Sequence, residues 1–342
     1  MKATMHTSSP AFSIIVTCYN YARYVEQALR SALAQTYANK QIVVVNDGST
    51  DGSLDVISRY ADRVVVIDQP NAGSIAAYNR GYQAASGDVI VLLDADDVLE
   101  PDALERVAAV WTKQVAKVQW DLKIIDADGR DLGRKFCNFD ASYDTARVRD
   151  AFRRTGTYRW PVSVGNAYSR WFADALFPLS PAHGPDGALN TVAPVYGDVV
   201  TLAHPLASYR IHGRNLWSNT ASDFERLPER IQQRIAEAEL MQRHAHERGV
   251  SVPGGSVLDH EIAFVNYRMM AKALGLSYQG SADESRMRLL RQALRVLRAE
   301  RYPTPLSLAH AAWFSALSVA PPASAKRLIR RRFSRNSRQA RT

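Results

Sequence analysis

At 342 residues, with 46% hydrophobic and 23% charged side chains, the sequence has the composition of a folded globular chain with one large core or two smaller ones, which excludes wholesale disorder. The formal charge of +9 suggests nucleic acid only until it is located: from residue 301 onward nine Lys and Arg stand against no acid, so the first 300 residues are neutral. Two cysteines, Cys18 and Cys137, exclude a disulfide framework and a cysteine metal site, and both read as packed thiols.

Met1 to Pro10 has one early lysine and no apolar run, so no signal peptide or membrane-spanning start is expected, and the chain reads as cytoplasmic. The first 130 residues alternate short β-branched runs with amphipathic stretches of helix length, the pattern of β-α units on a mostly parallel, right-handed sheet. Strands are expected at Phe12 to Thr17, Gln41 to Asn46, Val64 to Asp68, Val89 to Leu93 and Lys117 to Ile125. Helices are expected at Tyr24 to Gln35, Ser53 to Ala61, Ser74 to Ala85 and Pro101 to Trp111. Asp126-Ala127-Asp128-Gly129 then reads as a hairpin turn, since it lacks the third acid and the closing glutamate of a calcium loop. Phe136 to Trp217 is irregular and reads as loops and short elements laid over one edge of the sheet. Phe224 to Arg298 turns helical again, with a break at Gly249 to Gly255, and predicts two or three packing helices. Pro305 to Pro321 is apolar but shorter than the ~20 residues of a membrane span.

In open α/β sheets ligands sit at the carboxyl ends of the strands, so the loops there carry the chemistry. Four are polar and distinctive: Thr17-Cys18-Tyr19-Asn20-Tyr21, Asn46 to Asp51, Gln69-Pro70-Asn71-Ala72-Gly73 and Asp94-Ala95-Asp96-Asp97. Three carboxylates within four residues repel one another unless a cation compensates, and oxygen-only ligands suit Mn²⁺ or Mg²⁺ over Zn²⁺. No G-x-G-x-x-G follows the first strand and no G-x-x-x-x-G-K-[ST] occurs anywhere, so a diphosphate would be held mainly through metal.

These residues resemble the family 2 glycosyltransferases of GT-A fold, most closely over Phe12 to Leu104, through Ser13 to Asn20, Val45 to Asp51, Asn71-Ala72-Gly73 with Asn79, and Asp94 to Asp97. The resemblance implies a GT-A type, Rossmann-like, mostly parallel sheet with an irregular acceptor region and a C-terminal helical region. It divides the chain into a nucleotide-sugar-binding half at 1–130, an acceptor-binding half at 131–220, a helical region at 221–302, and an apolar segment with a basic tail at 303–342. It also implies an inverting, metal-dependent transfer from a nucleotide sugar, a UDP-sugar first among them, to a saccharide or lipid-linked saccharide in cell-surface or exopolysaccharide synthesis. Thr17, Tyr19 and Asp47 would line the base pocket, joined in the donor site by Asn20, Asn71, Gly73, Asn79, Asp94, Ala95 and Asp96. Asp94, Asp96 and Asp97 would form the metal-binding DXD segment. Where many members carry Arg before Asn79, this chain carries Tyr78.

In such enzymes a carboxylate on a short helix is the general base, and Asp186 in Pro185 to Asn190 matches that position, with a helix cap as the alternative and Asp174 and Asp198 next in line. Ser208 to Ser218 resembles a further family segment, in which His212 would reach the metal or the diphosphate. Lys326 to Phe333 mixes cations with apolar anchors and suits either the anionic inner face of the plasma membrane or a solvated tail. A nucleotidyltransferase would need a basic Gly-rich loop after the first strand, which Thr17 to Asn20 does not offer. A nucleic-acid binder would rest on the tail alone, and the intact acid cluster argues against an inactive scaffold; no nucleic-acid partner is expected.

Overall fold

The computed structural model describes residues 9–212, 224–253, 257–299 and 304–338. The chain opens on β1 (Phe12–Cys18), a strand buried at every residue, as a strand covered on both faces must be. α1 (Val25–Leu33) follows and buries Val25, Ala28, Leu29 and Ala32 at helical spacing. Then come β2 (Lys40–Asp47), α2 (Ser53–Ser58), β3 (Val65–Gln69), α3 (Ser74–Ala84), β4 (Val89–Asp94), the short β5 (Val98–Leu99) and α4 (Ala103–Ala109). β6 (Val115–Ile125) leads through the turn at Asp126 to Gly129 into β7 (Asp131–Lys135), which pairs with β6. The Asp126 carboxylate shapes that turn by accepting the N–H groups of Asp128 and Arg130, both at 2.9 Å, so it is the expected hairpin. α5 (Thr145–Thr155), β8 (Asn166–Ser169), α6 (Arg170–Ala173), α7 (Pro185–Tyr196) and β9 (Asp198–Arg210) complete the sheet region.

The nine strands form one sheet in the order β3-β2-β1-β4-β8-β6-β9-β5, with β7 beside β6. β1 to β4 are parallel; β8 runs against both β4 and β6, and β9 lies parallel to β6. β1, β2, β3, β4, β6 and β9 therefore all point one way, and their carboxyl ends share one edge. The strands expected in the first 125 residues are all present, displaced by a residue or two at their ends.

The region from Phe136 onward departs from its expectation. It does not merely overlie an edge, because β8 inserts between β4 and β6 and β9 pairs with β6 along nearly its whole length. Two things hide these strands in the sequence. β8 has four residues, too few to show a period. β9 contains Pro205 at a register shift, where Trp120 faces Leu202 and Asp121 faces Pro205; a residue without an N–H is tolerated in a sheet at such an irregularity.

Alternate residues of β1 face opposite layers. Phe12, Ile14 and Val16 join Leu29, Ile57, Leu104 and Val107 in the larger core, under α1, α2 and α4. α3 covers the other face and lies very close, since a Cβ on its Gly81 would meet Ile15 Cγ2 at 2.3 Å. β6 turns three polar side chains, Lys117, Gln119 and Asp121, into the interior without exposure. Each has partners: Lys117 donates to Gln119 at 2.9 Å, and Asp121 accepts the N–H groups of Cys137 and Phe139 at 3.0 and 2.9 Å. Cys18 and Cys137 are both free and buried.

Chain contacts divide the protein into two units, the described residues within Met1–Ile125, Gly133–Arg149 and Arg159–Arg210, and those within Asp126–Leu132, Asp150–Tyr158 and Ile211–Thr342. The second contains α8 (Leu227–Glu247), α9 (Ile262–Leu274), α10 (Arg286–Ala299), α11 (Thr304–Val319) and α12 (Pro322–Arg338). Two or three helices were expected up to Arg298 and three are there, α8, α9 and α10; α9 packs against all four others. Arg268 is held between Asp259 at 3.0 Å and Glu284 at 2.6 Å, a buried cation compensated on both sides.

No described helix is long and apolar enough to cross a membrane. The basic tail is helical as far as Arg338, and it buries Ala325 and Ile329 completely. Residues 339–342 lie outside the described residues. Ile329→Ala should therefore lower the unfolding free energy by about 2–4 kcal/mol, the usual cost of emptying a core site. An unchanged melting temperature for this variant would show instead that α12 adds nothing to the fold.

Candidate active site

The carboxyl edge of the sheet gathers the four loops singled out in the sequence. β1 and β2 end in loops stitched together by side chains. Asn20, with φ of 57°, accepts the Thr50 N–H at 2.7 Å, while its own N–H donates to Ser49 Oγ at 3.0 Å. Asp51 accepts the Ala22 N–H at 3.1 Å. Tyr19 stands out from this surface, 46% exposed, with Thr17 buried behind it.

Asp47, at the end of β2, is buried and accepts three N–H bonds from the next loop, from Gln69 Nε2 at 2.7 Å and from Ala72 and Gly73 at 2.9 Å each. A carboxylate has about four acceptor positions, so one remains for a ligand. Gly48 makes the close approach possible: its φ is +69°, and a Cβ there would stand 2.5 Å from the Asn71 nitrogen. Asn71 and Gly73 are thus fixed beside Asp47.

β4 ends in the acids. Asp94 Oδ1 accepts the buried Tyr78 hydroxyl at 2.6 Å, and Thr17 and Ser163 also hydrogen-bond to this carboxyl. Ala95 is buried and donates its N–H to the Thr17 carbonyl at 3.2 Å. Asp96 and Asp97 are 7% and 1% exposed. Arg210, at the end of β9 and itself buried, closes the turn: its N–H donates to Asp97 Oδ1 at 2.9 Å, its Nε to the Asp96 carbonyl at 2.7 Å and a terminal nitrogen to Gln27 at 2.6 Å. Burial and the neighbouring acids push Asp97 well above the carboxylate range, with Arg210 opposing, and burial with the Asp96 charge raises Asp94 to about 6.

Asp186 occupies the first turn of α7 and is not its cap, a position held by Gly184. It is half-buried; burial above all, then the acids of the turn, raises the Tyr78 and Tyr209 phenols, and the Asp186 charge adds a lesser share at both, so it lies within electrostatic reach of them. Its charge also favours protonation of Lys117, whose pKa burial drives well down. The two fallback carboxylates belong elsewhere. Asp198 begins β9 and pairs with Arg149 at 2.5 Å; Asp174 follows β8 beyond Ser169, which faces the start of β4 at Val89, and accepts the Tyr82 hydroxyl at 2.5 Å. Both lie at the opposite edge of the sheet.

Asn79 is spent on packing, donating to the Leu179 carbonyl at 2.9 Å and accepting the Leu179 N–H at 2.7 Å. His212 is buried just beyond β9, in the second unit, and the rest of its segment, Gly213 to Ser218, lies outside the described residues. Among the described residues no three His, Cys, Asp or Glu side chains form a metal cage. The donor atoms the turn does offer are carboxylate oxygens, the ligand type that Mg²⁺ or Mn²⁺ takes together with substrate oxygens and water. Sequence reasoning did not identify Tyr78 or Arg210 as supports of the acid turn; a tyrosine in place of the resembled family's arginine was the one available signal.

A parallel-rich sheet with a buried acid turn on its carboxyl edge is the architecture expected of a GT-A type fold. The profile of Glycosyl transferase family 2 matches residues 13–170. An uncharacterized glycosyltransferase of Nostoc sp. is 38% identical over 220 residues, 61% of this chain and 67% of that one. The chain belongs to glycosyltransferase family 2. A glycosyltransferase of Streptococcus pneumoniae, GlyA, is 37% identical over 222 residues, and the match spans 60% of this chain but 31% of that longer protein. The fold is shared with a mannosyltransferase of Pyrobaculum calidifontis in complex with GDP-Man and Mn²⁺, at 17% identity and a TM-score of 0.52, over 96% of this chain and 85% of that one. It is shared also with residues 1–349 of Staphylococcus aureus TarS in complex with UDP, at 15% identity and a TM-score of 0.50, over 95% and 92%.

The raised Asp94 gives a signed prediction. Its folded pKa of about 6 exceeds the reference value of 3.8, so its burial costs almost nothing well below pH 4, destabilises the protein increasingly between about pH 4 and 6, and is fully felt above that. Asp94→Asn should therefore melt close to wild type near pH 3.5, gain on it through pH 4–6, and at pH 7.5 be the more stable by about 1–3 kcal/mol without metal. A gap that shrinks with rising pH would refute the assignment.

Proposed function

We propose that the chain is an inverting, metal-dependent glycosyltransferase that takes a sugar from a nucleotide-diphosphate sugar, a UDP-sugar first, and joins it to an acceptor hydroxyl. The observation that carries this reading is the buried turn Asp94 to Asp97 on the sheet's carboxyl edge, beside the loop fixed by Asp47 and with Asp186 facing it electrostatically. The ligands named for the Pyrobaculum and Staphylococcus proteins support it.

Thr17, Tyr19 and the remaining acceptor position of Asp47 receive the base, with Asn71 and Gly73 forming the pocket wall. Asn20 and Asn79 serve through the loops they pin rather than by touching the donor. Asp94 and Asp96 would hold Mn²⁺ or Mg²⁺, which when bound would offset charge on the departing diphosphate. Asp97 is committed to Arg210 and keeps the turn in place. Asp186 takes the proton of the acceptor hydroxyl as its oxygen bonds to the anomeric carbon and the bond to the diphosphate breaks on the opposite face, which inverts the configuration. Residues 1–130 serve the donor and 131–220 the acceptor, a saccharide or lipid-linked saccharide in surface-polysaccharide assembly at the inner face of the plasma membrane.

Nucleotide diphosphates and their sugars, screened by thermal shift with and without Mn²⁺, test the donor site, because a ligand bound only by the folded state raises the melting temperature. A UDP-dependent shift that needs Mn²⁺ and disappears in Asp96→Ala is expected; shifts indifferent to both would remove the metal from the mechanism. For the base, Asp186→Asn should lower turnover by roughly 10²–10⁴-fold while melting and donor affinity hold. NMR of the product's anomeric proton reports the inversion, and a fully active Asp186→Asn would move the base elsewhere.

A further inference from the structure

The charge of this chain is more sharply segregated than its tail alone suggests. From residue 285 to 342 the sequence carries fourteen Lys and Arg against the single Glu300, whereas residues 1–284 carry four more acids than bases. Five of those cations belong to α10, a helix of fourteen residues without an acid.

α10 is two-faced. Leu289, Ala293, Val296 and Leu297 are buried, while Met287, Arg288, Arg291, Leu294, Arg295 and Arg298 are exposed. At about 100° per residue, the exposed six fall within roughly a third of the helix circumference. Met287 and Leu294, 48% and 44% exposed, are flanked there by four arginines. No ion pair among the described residues engages Arg291, Arg295 or Arg298. The Arg286 guanidinium donates to the Ala320 carbonyl at 2.5 Å, so the start of α10 adjoins the corner between α11 and α12, where Val319 is 76% exposed. α12 adds exposed Lys326, Arg327, Leu328 and Arg330.

We propose that the exposed face of α10, together with the basic face of α12, docks this protein on an anionic phospholipid bilayer. The pattern is that of an interfacial helix, whose aliphatic side chains enter the acyl boundary while long cationic side chains stay at the phosphates. Arginine suits the role because its planar fork binds phosphate oxygens in pairs. A second copy of this chain would bring like charge to like. Nucleic acid would match the charge but not the apolar component: among the described residues the exposed large hydrophobics of the helical unit are Met287, Leu294, Leu308, Val319 and Leu328, none of them an aromatic on which a base could stack. The proposal extends the peripheral-membrane reading and moves the contact from the terminal tail into the body of the helical unit.

The test is co-sedimentation of the full chain with phosphatidylglycerol–phosphatidylcholine vesicles and with pure phosphatidylcholine vesicles, at about 0.05 and 0.5 M salt. Binding to the anionic vesicles alone, weakened by salt, is expected. Each cation near such a surface raises partitioning about fivefold, so Arg291→Gln, Arg295→Gln and Arg298→Gln together should reduce it at least tenfold. Met287→Ser with Leu294→Ser should reduce it several-fold. All five positions are exposed, so the melting temperature and the Mn²⁺-dependent UDP shift should stay as in wild type; loss of that shift in wild type would count against the donor site, not against this surface. Equal sedimentation with neutral vesicles, wild-type binding by the triple arginine variant, or displacement of the vesicles by a structured RNA bound more tightly would each overturn the proposal.

Discussion

Everything at the carboxyl edge depends on one arrangement, the enclosure of Asp94, Asp96 and Asp97 in a single turn. Like charges this close, with little water between them, push the turn apart, and burial beside them holds Asp94 and Asp97 above the usual carboxylate range. Arg210 offsets this from a position 113 residues further along the chain, through one backbone N–H and one guanidinium that grips the turn by a carbonyl. Tyr78 secures the other flank from α3. The turn is thus held by a strand and a helix that meet only in the folded chain, and its residual repulsion is what a divalent cation would relieve.

The same economy governs the neighbouring loops. Asp47 accepts bonds from three groups of the Gln69 to Gly73 loop, and Gly48 leaves room for the Asn71 backbone. Asn20 ties the loop after β1 to the loop after β2. The residues proposed for the donor site therefore divide into those that can face a ligand and those that keep the loops in shape. Asn79, bonded twice to Leu179, belongs to the second kind, although its place in a motif suggested the first.

Much of the first 130 residues was legible because their signals are local. A buried parallel strand writes a continuous apolar run, and the acid and glycine residues that follow it write a loop. β9 was not legible, since Pro205 and a shift of register interrupt its period, and β8 was too short to have one. Arg210 stood inside a recognised segment, yet its role depends on the sheet order that places the end of β9 beside the end of β4's turn. The helix at Pro185 was expected from the family resemblance rather than from its own residues, and Gly184 rather than Asp186 takes its cap.

The exposed cations of α10 are all arginine, and a guanidinium keeps its proton at every pH at which a protein remains folded. The sign of that face is therefore permanent. Neither an acid shift nor lysine acetylation can neutralise it, so in the proposed docking on a bilayer control would fall to the other partner, through the anionic lipid content of the membrane or the ions that screen it.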